Sequence, residues 1–154
     1  MVESQPAAID EIPLHRMLAL DYEPPTPGEG RAQVRMPVKA EALGSTGSLH
    51  GGAIATMVDL ACALAAVGSS GFDPSRESLV TVDMHIRYLG RARTDTVLAR
   101  AEVIRRGSQL IVVGCEVVDE QGHLVAVADF SMMIVALRTP LVDNAVLVAG
   151  GSEV

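Results

Sequence analysis

A chain of 154 residues and 16.2 kDa is the size of one domain, and at that size folding buries about 68–70% of the unfolded surface. Hydrophobic residues make up 49% and aromatic ones only 3%, with no Trp, so the core must be built from aliphatic side chains and Met, and a disordered chain is excluded. A formal net charge of −7 disfavours nucleic acid or an anionic membrane surface as partner, since both require a basic face.

The opening MVESQPAAIDEIP carries Glu3, Asp10 and Glu11 and no apolar run, unlike a secretory or transit sequence, so a cytoplasmic protein is the expectation. A short helix is expected near Ile12 to Met17. Met17 to Tyr22 and Arg31 to Val38 are predicted to pair as a hairpin across the turn made by Pro24, Pro25, Pro27, Gly28 and Gly30. Ala40 to His50 is small, polar and glycine-rich, a loop leading into a helix at Gly51. The apolar stretch Ala53 to Val67 spans 15 residues and contains Asp59, too short and wrongly charged for a membrane span, and reads as a buried helix.

After a second loop, Gly71 to Ser78, the pattern turns to strands. Val80, Val82, Met84, Ile86 and Tyr88 alternate with Thr81, Asp83, His85 and Arg87, the period of a strand with two distinct faces. Thr96 to Ile104, Leu110 to Val118 and Leu124 to Val135 follow, separated by the loop Arg105 to Gln109 and the turn Asp119 to Gly122, and together predict an antiparallel meander. Arg138 to Val154, with Pro140 and a Gly-Gly pair, is expected to be a partly ordered tail. No repeat or linker divides residues 1–154, which read as a single α+β domain with its core at about 11–137. One helix cannot shield both faces of such a sheet, and a second copy of the chain is the expected cover. Cys62 and Cys115 lie in apolar segments, are too few for a metal cluster, and suit a reducing compartment.

Between His50 and Asp73, Asp59 is the one formal charge. At 100° per residue, Gly52, Ala55, Thr56, Cys62, Ala63 and Ala66 fall within about 60° of it, while Ile54, Met57, Val58, Leu60 and Leu64 point elsewhere. The small side would admit a second helix or a flat ligand. A carboxylate there is costly to desolvate, and the poorly solvated anion it leaves suits a general base or a nucleophile. His50-Gly51-Gly52 opens the helix, where unpaired N–H groups and the positive end of the helix dipole favour a developing oxyanion. Gly51 and Asp59 stand about 12 Å apart along the axis, too far to meet one carbonyl. Antiparallel helices of a two-fold dimer would bring Asp59 of one chain to Gly51 of the other.

At these residues the chain resembles the hotdog-fold acyl-CoA thioesterases, the group that includes the phenylacetate-pathway enzymes. The resemblance rests on Gly47-Ser48-Leu49-His50-Gly51-Gly52 followed by Asp59, and on Val80-Thr81-Val82-Asp83-Met84-His85-Ile86-Arg87-Tyr88-Leu89, over roughly Ala40 to Val135. It implies an antiparallel sheet wrapped around one long helix, and hydrolysis of an acyl-CoA to a carboxylic acid and free coenzyme A. Asp59 would attack the thioester or activate water, the Gly51 amide would polarise the carbonyl, His50 would shape the site and Thr81 would lie near the attacking water. Coenzyme A would enter only as part of the substrate, lying at the interface of a homodimer that pairs into a homotetramer, with no metal.

The family commonly carries Asn six residues before the His, where this chain has Gly44. Gly44 and Gly52 are therefore substrate-contact candidates, and Arg91, Arg105 and Arg106 are candidates for the coenzyme A phosphates. A hydratase or dehydratase of the same fold is a weaker alternative, because no His follows Asp59 on the helix. A non-catalytic acyl-CoA binding module is another, favoured by Gly44.

Overall fold

Pro13 opens helix α1 (Pro13–Leu18) at a position where a missing N–H costs nothing, and Ala19 ends it in the left-handed conformation at φ 50°. In the computed structural model, which describes residues 11–137, this turn consumes the start of the strand expected from Met17. Only Asp21–Tyr22 remains as β1, and it pairs antiparallel with β2 (Arg31–Pro37) as the expected hairpin. A single 3₁₀ turn at Ala40–Ala42 leads towards α2 (Gly51–Ser69). Strands β3 (Glu77–Tyr88), β4 (Thr96–Arg106), β5 (Leu110–Asp119) and β6 (Leu124–Ala136) complete the sheet. The tail expected from Arg138 lies outside the described residues.

The six strands run in the order β1-β2-β4-β5-β6-β3, antiparallel throughout, with the predicted meander β4-β5-β6 at its centre. The sheet curls around α2, which packs on β2, β4 and β5 through Ile54, Met57, Val58, Leu60, Ala61 and Leu64. This is the hotdog architecture. At 19 residues α2 is longer than its apolar stretch suggested and is apolar enough to cross a membrane, but here it is the core helix, apolar around most of its circumference. Cys62 and Ala66 do not belong to the small open side inferred from the helical wheel: both are fully buried, whereas Gly52, Ala55, Thr56, Asp59 and Ala63 keep some exposure.

Strand β3 departs from strict alternation. Its register with β6 slips between Thr81 and Asp83, so Val82 is the extra residue of a β-bulge. Leu79 and Thr81 before the bulge, and Met84, Ile86 and Tyr88 after it, stand opposite the core-facing Ile134, Met132, Phe130, Ala128 and Ala126. Val80 therefore lies on the outer face with Asp83, His85 and Arg87, not with Ile86 as simple alternation requires. The bulge is what puts Thr81 and Tyr88 on the same, helix-facing side.

At the far end of α2 the proline-rich turn closes onto the helix. The Gly28 N–H donates to the Gly68 carbonyl at 2.8 Å, and the Glu29 carbonyl occupies the place a Gly68 side chain would need. At the opposite end of the meander, Asp119 is buried and ties two loops together. Its carboxylate accepts the backbone N–H groups of Gln121 (3.0 Å), His123 (2.8 Å) and Arg93 (3.0 Å).

Burial pushes the Asp119 carboxyl up, but these three donors and the nearby His123 outweigh it and hold the group below the usual carboxylate range. A depressed folded value means stability that is present above the unfolded pKa of about 3.9 and is lost as pH falls through the folded value. Asp119→Ala should therefore lower Tm at pH 7 by roughly 5–10 °C. The gap from the parent should narrow in melts run below about pH 4.

Candidate active site

The N-terminus of α2 is capped by its own preceding residue. His50, extended at φ −66° and ψ 133°, turns Nδ1 back to accept the Gly52 N–H at 2.9 Å, which leaves the ring proton on Nε2. The Ala53 and Ile54 N–H groups donate to the His50 carbonyl. Among the described residues, the Gly51 N–H has no acceptor. Of the two helix-opening glycines, Gly51 thus offers the free amide, and that of Gly52 is already used.

Tyr88, to which sequence reasoning assigned no role, fixes this end of the helix from β3. Its hydroxyl donates to the Gly51 carbonyl at 3.1 Å, and a side chain on Gly51 would lie 3.3 Å from the Tyr88 ring. The peptide between Gly51 and Gly52 is therefore held at its oxygen by Tyr88 and at its nitrogen by His50. The signal was available in the quoted strand motif, but unbroken alternation would have turned Thr81 and Tyr88 to opposite faces.

Two turns along α2, Asp59 is half-buried and accepts the Thr81 hydroxyl at 3.2 Å. Thr81 and Asp59 are thus brought together, as are His50, Gly51 and Gly52, but the two groups remain separated by the rise of the helix, about 12 Å. Gly44 sits in the turn before the helix, its N–H donating to the Ser48 carbonyl at 2.8 Å. A side chain there would rest against the His50 ring at ordinary contact distance, 3.5 Å.

The arginine candidates divide. Arg106 donates to the Ser69 carbonyl at 2.7 Å and so neutralises the C-terminal end of α2. Arg105 is exposed beside it, whereas Arg91 is exposed just past the end of β3, near the Gly51 end. An open cleft of about 1360 Å³ between Asp21–Thr26 and the outer face of β2, β4 and β5 touches neither Asp59 nor Gly51. Among the described residues no cluster of His, Cys, Asp and Glu is arranged to hold a metal.

The fold and these motifs agree with comparisons to known proteins. The thioesterase superfamily profile matches residues 46–126. A putative esterase of Saccharolobus solfataricus is 35% identical over 111 residues, 72% of this chain and 75% of that protein. The medium/long-chain acyl-CoA thioesterase YigI of Escherichia coli is 30% identical over 96 residues, 56% of this chain and 62% of that protein. Among solved structures, the PaaI protein from the phenylacetic acid degradation operon of Escherichia coli superposes with a TM-score of 0.70 at 26% identity, covering 82% of this chain and 86% of that one. The chain belongs to the thioesterase superfamily.

Cys62 lies one turn beyond Asp59 but on the core side. The neighbouring Cys115 thiol, and then burial, push the Cys62 thiol far above its usual range, and Asp59 adds to the effect. A thiol held protonated in the core is inert. An aromatic disulfide reagent should label neither cysteine of the native protein and both of the chain's 2 cysteines after guanidinium denaturation.

Proposed function

We propose that this thioesterase hydrolyses an acyl-CoA, with Asp59 of one subunit and the Gly51 amide of the partner subunit acting on one thioester. The observation that carries the reading is the division of the site. A half-buried carboxylate steadied by Thr81 and a free helix-terminal amide steadied by Tyr88 lie on one rigid helix, too far apart to share a carbonyl. Support for a second subunit comes from β3, a 12-residue edge strand with Val82, Met84 and Tyr88 exposed by 51%, 42% and 54%. Long apolar edges of this kind are covered by pairing. A second copy across β3 lays the two helices side by side and antiparallel, which meets the requirement and desolvates Asp59.

In this site Asp59 either takes a proton from water as it attacks the carbonyl carbon or attacks that carbon itself, forming an anhydride that water then opens. The tetrahedral oxyanion is stabilised by the Gly51 N–H and the dipole of α2. Collapse expels the thiolate of coenzyme A, and water supplies the second oxygen of the acid. Arg91 would take a coenzyme A phosphate, with Arg105 a second candidate, whereas Arg106 is held at the end of α2. Pairing of such dimers into a tetramer, with no cofactor beyond the substrate's own coenzyme A, completes the proposal. Binding of acyl-CoA without turnover is the second reading, favoured by Gly44, which offers no side-chain amide.

Asp59→Ala should lower thiol release from an accepted acyl-CoA by at least about 100-fold without changing the oligomer. Gly51→Pro, which removes the amide at a first helical position where proline's missing N–H costs no hydrogen bond, although its ring presses on Tyr88, should do the same. Mixed in equal amounts and allowed to exchange subunits, the two inactive variants should recover about a quarter of the parent activity, because half the dimers then hold one intact site. A mixture that stays inactive places both groups' work within one chain.

A further inference from the structure

The Gly51 amide lies inside a loop of atoms that one hydrogen bond closes. The path runs from the His50 imidazole through its own Cα and the peptides to Gly51 and Gly52, and returns where Nδ1 accepts the Gly52 N–H at 2.9 Å. Two glycines in succession give that path little backbone preference of its own, so the closing bond restricts it. The imidazole is seated between glycines. A side chain on Gly52 would lie 3.0 Å from Nδ1 and 3.2 Å from Cε1, and one on Gly44 would lie 3.5 Å from Cδ2. Because Nδ1 is the acceptor and Nε2 already carries the ring proton, a second proton can arrive only on Nδ1. It would aim an N–H at an N–H and put a cation on the positive end of the helix dipole. The bond to Gly52 and the charged imidazole exclude each other.

We propose that His50 is a positioning residue that holds the Gly51 amide through Gly52 only while its ring is neutral, so that acid opens the cap and weakens the oxyanion site. The inference rests on the reading of Gly51 as the oxyanion donor. No charged neighbour competes for the ring: among the described residues His50 forms no ion pair. Lys39 and Glu41 at the 3₁₀ turn face each other at 3.9 Å, and the Tyr88 hydroxyl of β3 is on the Gly51 carbonyl. Arg91 is exposed past the end of β3, and Asp59 of the same helix is about 12 Å from Gly51. The shared site would add one carboxylate, Asp59 of the partner subunit, whose own titration lowers activity whatever residue stands at 50. The Ala53 and Ile54 N–H groups stay on the His50 carbonyl in either charge state, so an open cap slows the reaction without abolishing it.

The test follows kcat and KM for thiol release from an accepted acyl-CoA between about pH 5 and pH 8 in the full-length parent, His50→Asn and His50→Ala. Asn is a favoured cap whose side-chain oxygen accepts the Gly52 N–H throughout this range, and Ala accepts nothing. The parent's kcat should fall about tenfold at pH values where histidine gains its second proton, about 6.5 and below, with KM little changed. At pH 8, His50→Ala should be about tenfold slower than the parent and His50→Asn several-fold faster than His50→Ala, and both should lack the parent's step. A step of the same size and midpoint in His50→Asn, or a His50→Ala as fast as the parent at pH 8, overturns the proposal. A second measurement needs no turnover. In the ¹⁵N-labelled parent the His50 ring should carry its proton on Nε2 at pH 8, and the Gly52 amide signal should move with the same midpoint as the ring while staying still in His50→Asn. A Gly52 signal that ignores the ring's titration overturns the cap. Absence of acyl-CoA hydrolysis beside a joint titration overturns the proposed function instead and leaves the proton-dependent cap standing.

Discussion

An α-helix rises 1.5 Å per residue, and that fixed pitch keeps a free amide and a carboxylate of α2 about 12 Å apart. The rest of the molecule holds this distance. The sheet curls around the helix, Ile54, Met57, Val58 and Leu64 lock it from the core side, and the proline-rich turn closes over its far end at Gly68. A helix packed in this way does not bend to bring its two polar positions together. Whatever chemistry uses both must borrow one of them from elsewhere, and the small residues Gly52, Ala55 and Ala63 leave the open side of α2 free for a close neighbour.

Strand β3 gives each polar position of the helix a hydrogen-bonding partner and also carries the long unpaired edge. A contact that orders this edge would therefore steady the Tyr88 hydroxyl on Gly51 and the Thr81 hydroxyl on Asp59 together. Subunit contact and site geometry are one problem in this architecture, solved on one strand.

Much of this was legible in the residues. The meander, the buried helix and the hairpin at the start follow from periodicity and turn chemistry, and the isolated charge of Asp59 on an aliphatic helix is conspicuous without coordinates. The failures have physical causes. A helical wheel treats all directions around α2 as equivalent, but a curled sheet covers more than half of the circumference, so Cys62 and Ala66 became core although they neighbour Asp59 in angle. The left-handed turn at Ala19 shortened β1 because a helix end takes residues that would otherwise begin a strand. Asp119 looked like an ordinary turn residue, and only folding showed that its oxygens gather donors from two loops. Arg106 read as a candidate for a coenzyme A phosphate, yet its guanidinium is taken up by the end of α2.

The bulge at Val82 was the least visible feature, since a strand with one surplus residue still alternates on paper. Counted along the chain, Thr81 and Tyr88 are an odd number of steps apart; counted along the ladder they are an even number. Excising Val82 would leave every other cross-strand neighbour of β3 in place and remove the local twist that a bulge adds. That one valine is thus a residue of curvature, and a gap of one at this point in a homologue would signal a flatter wall around the helix while the chemistry lining it stays the same.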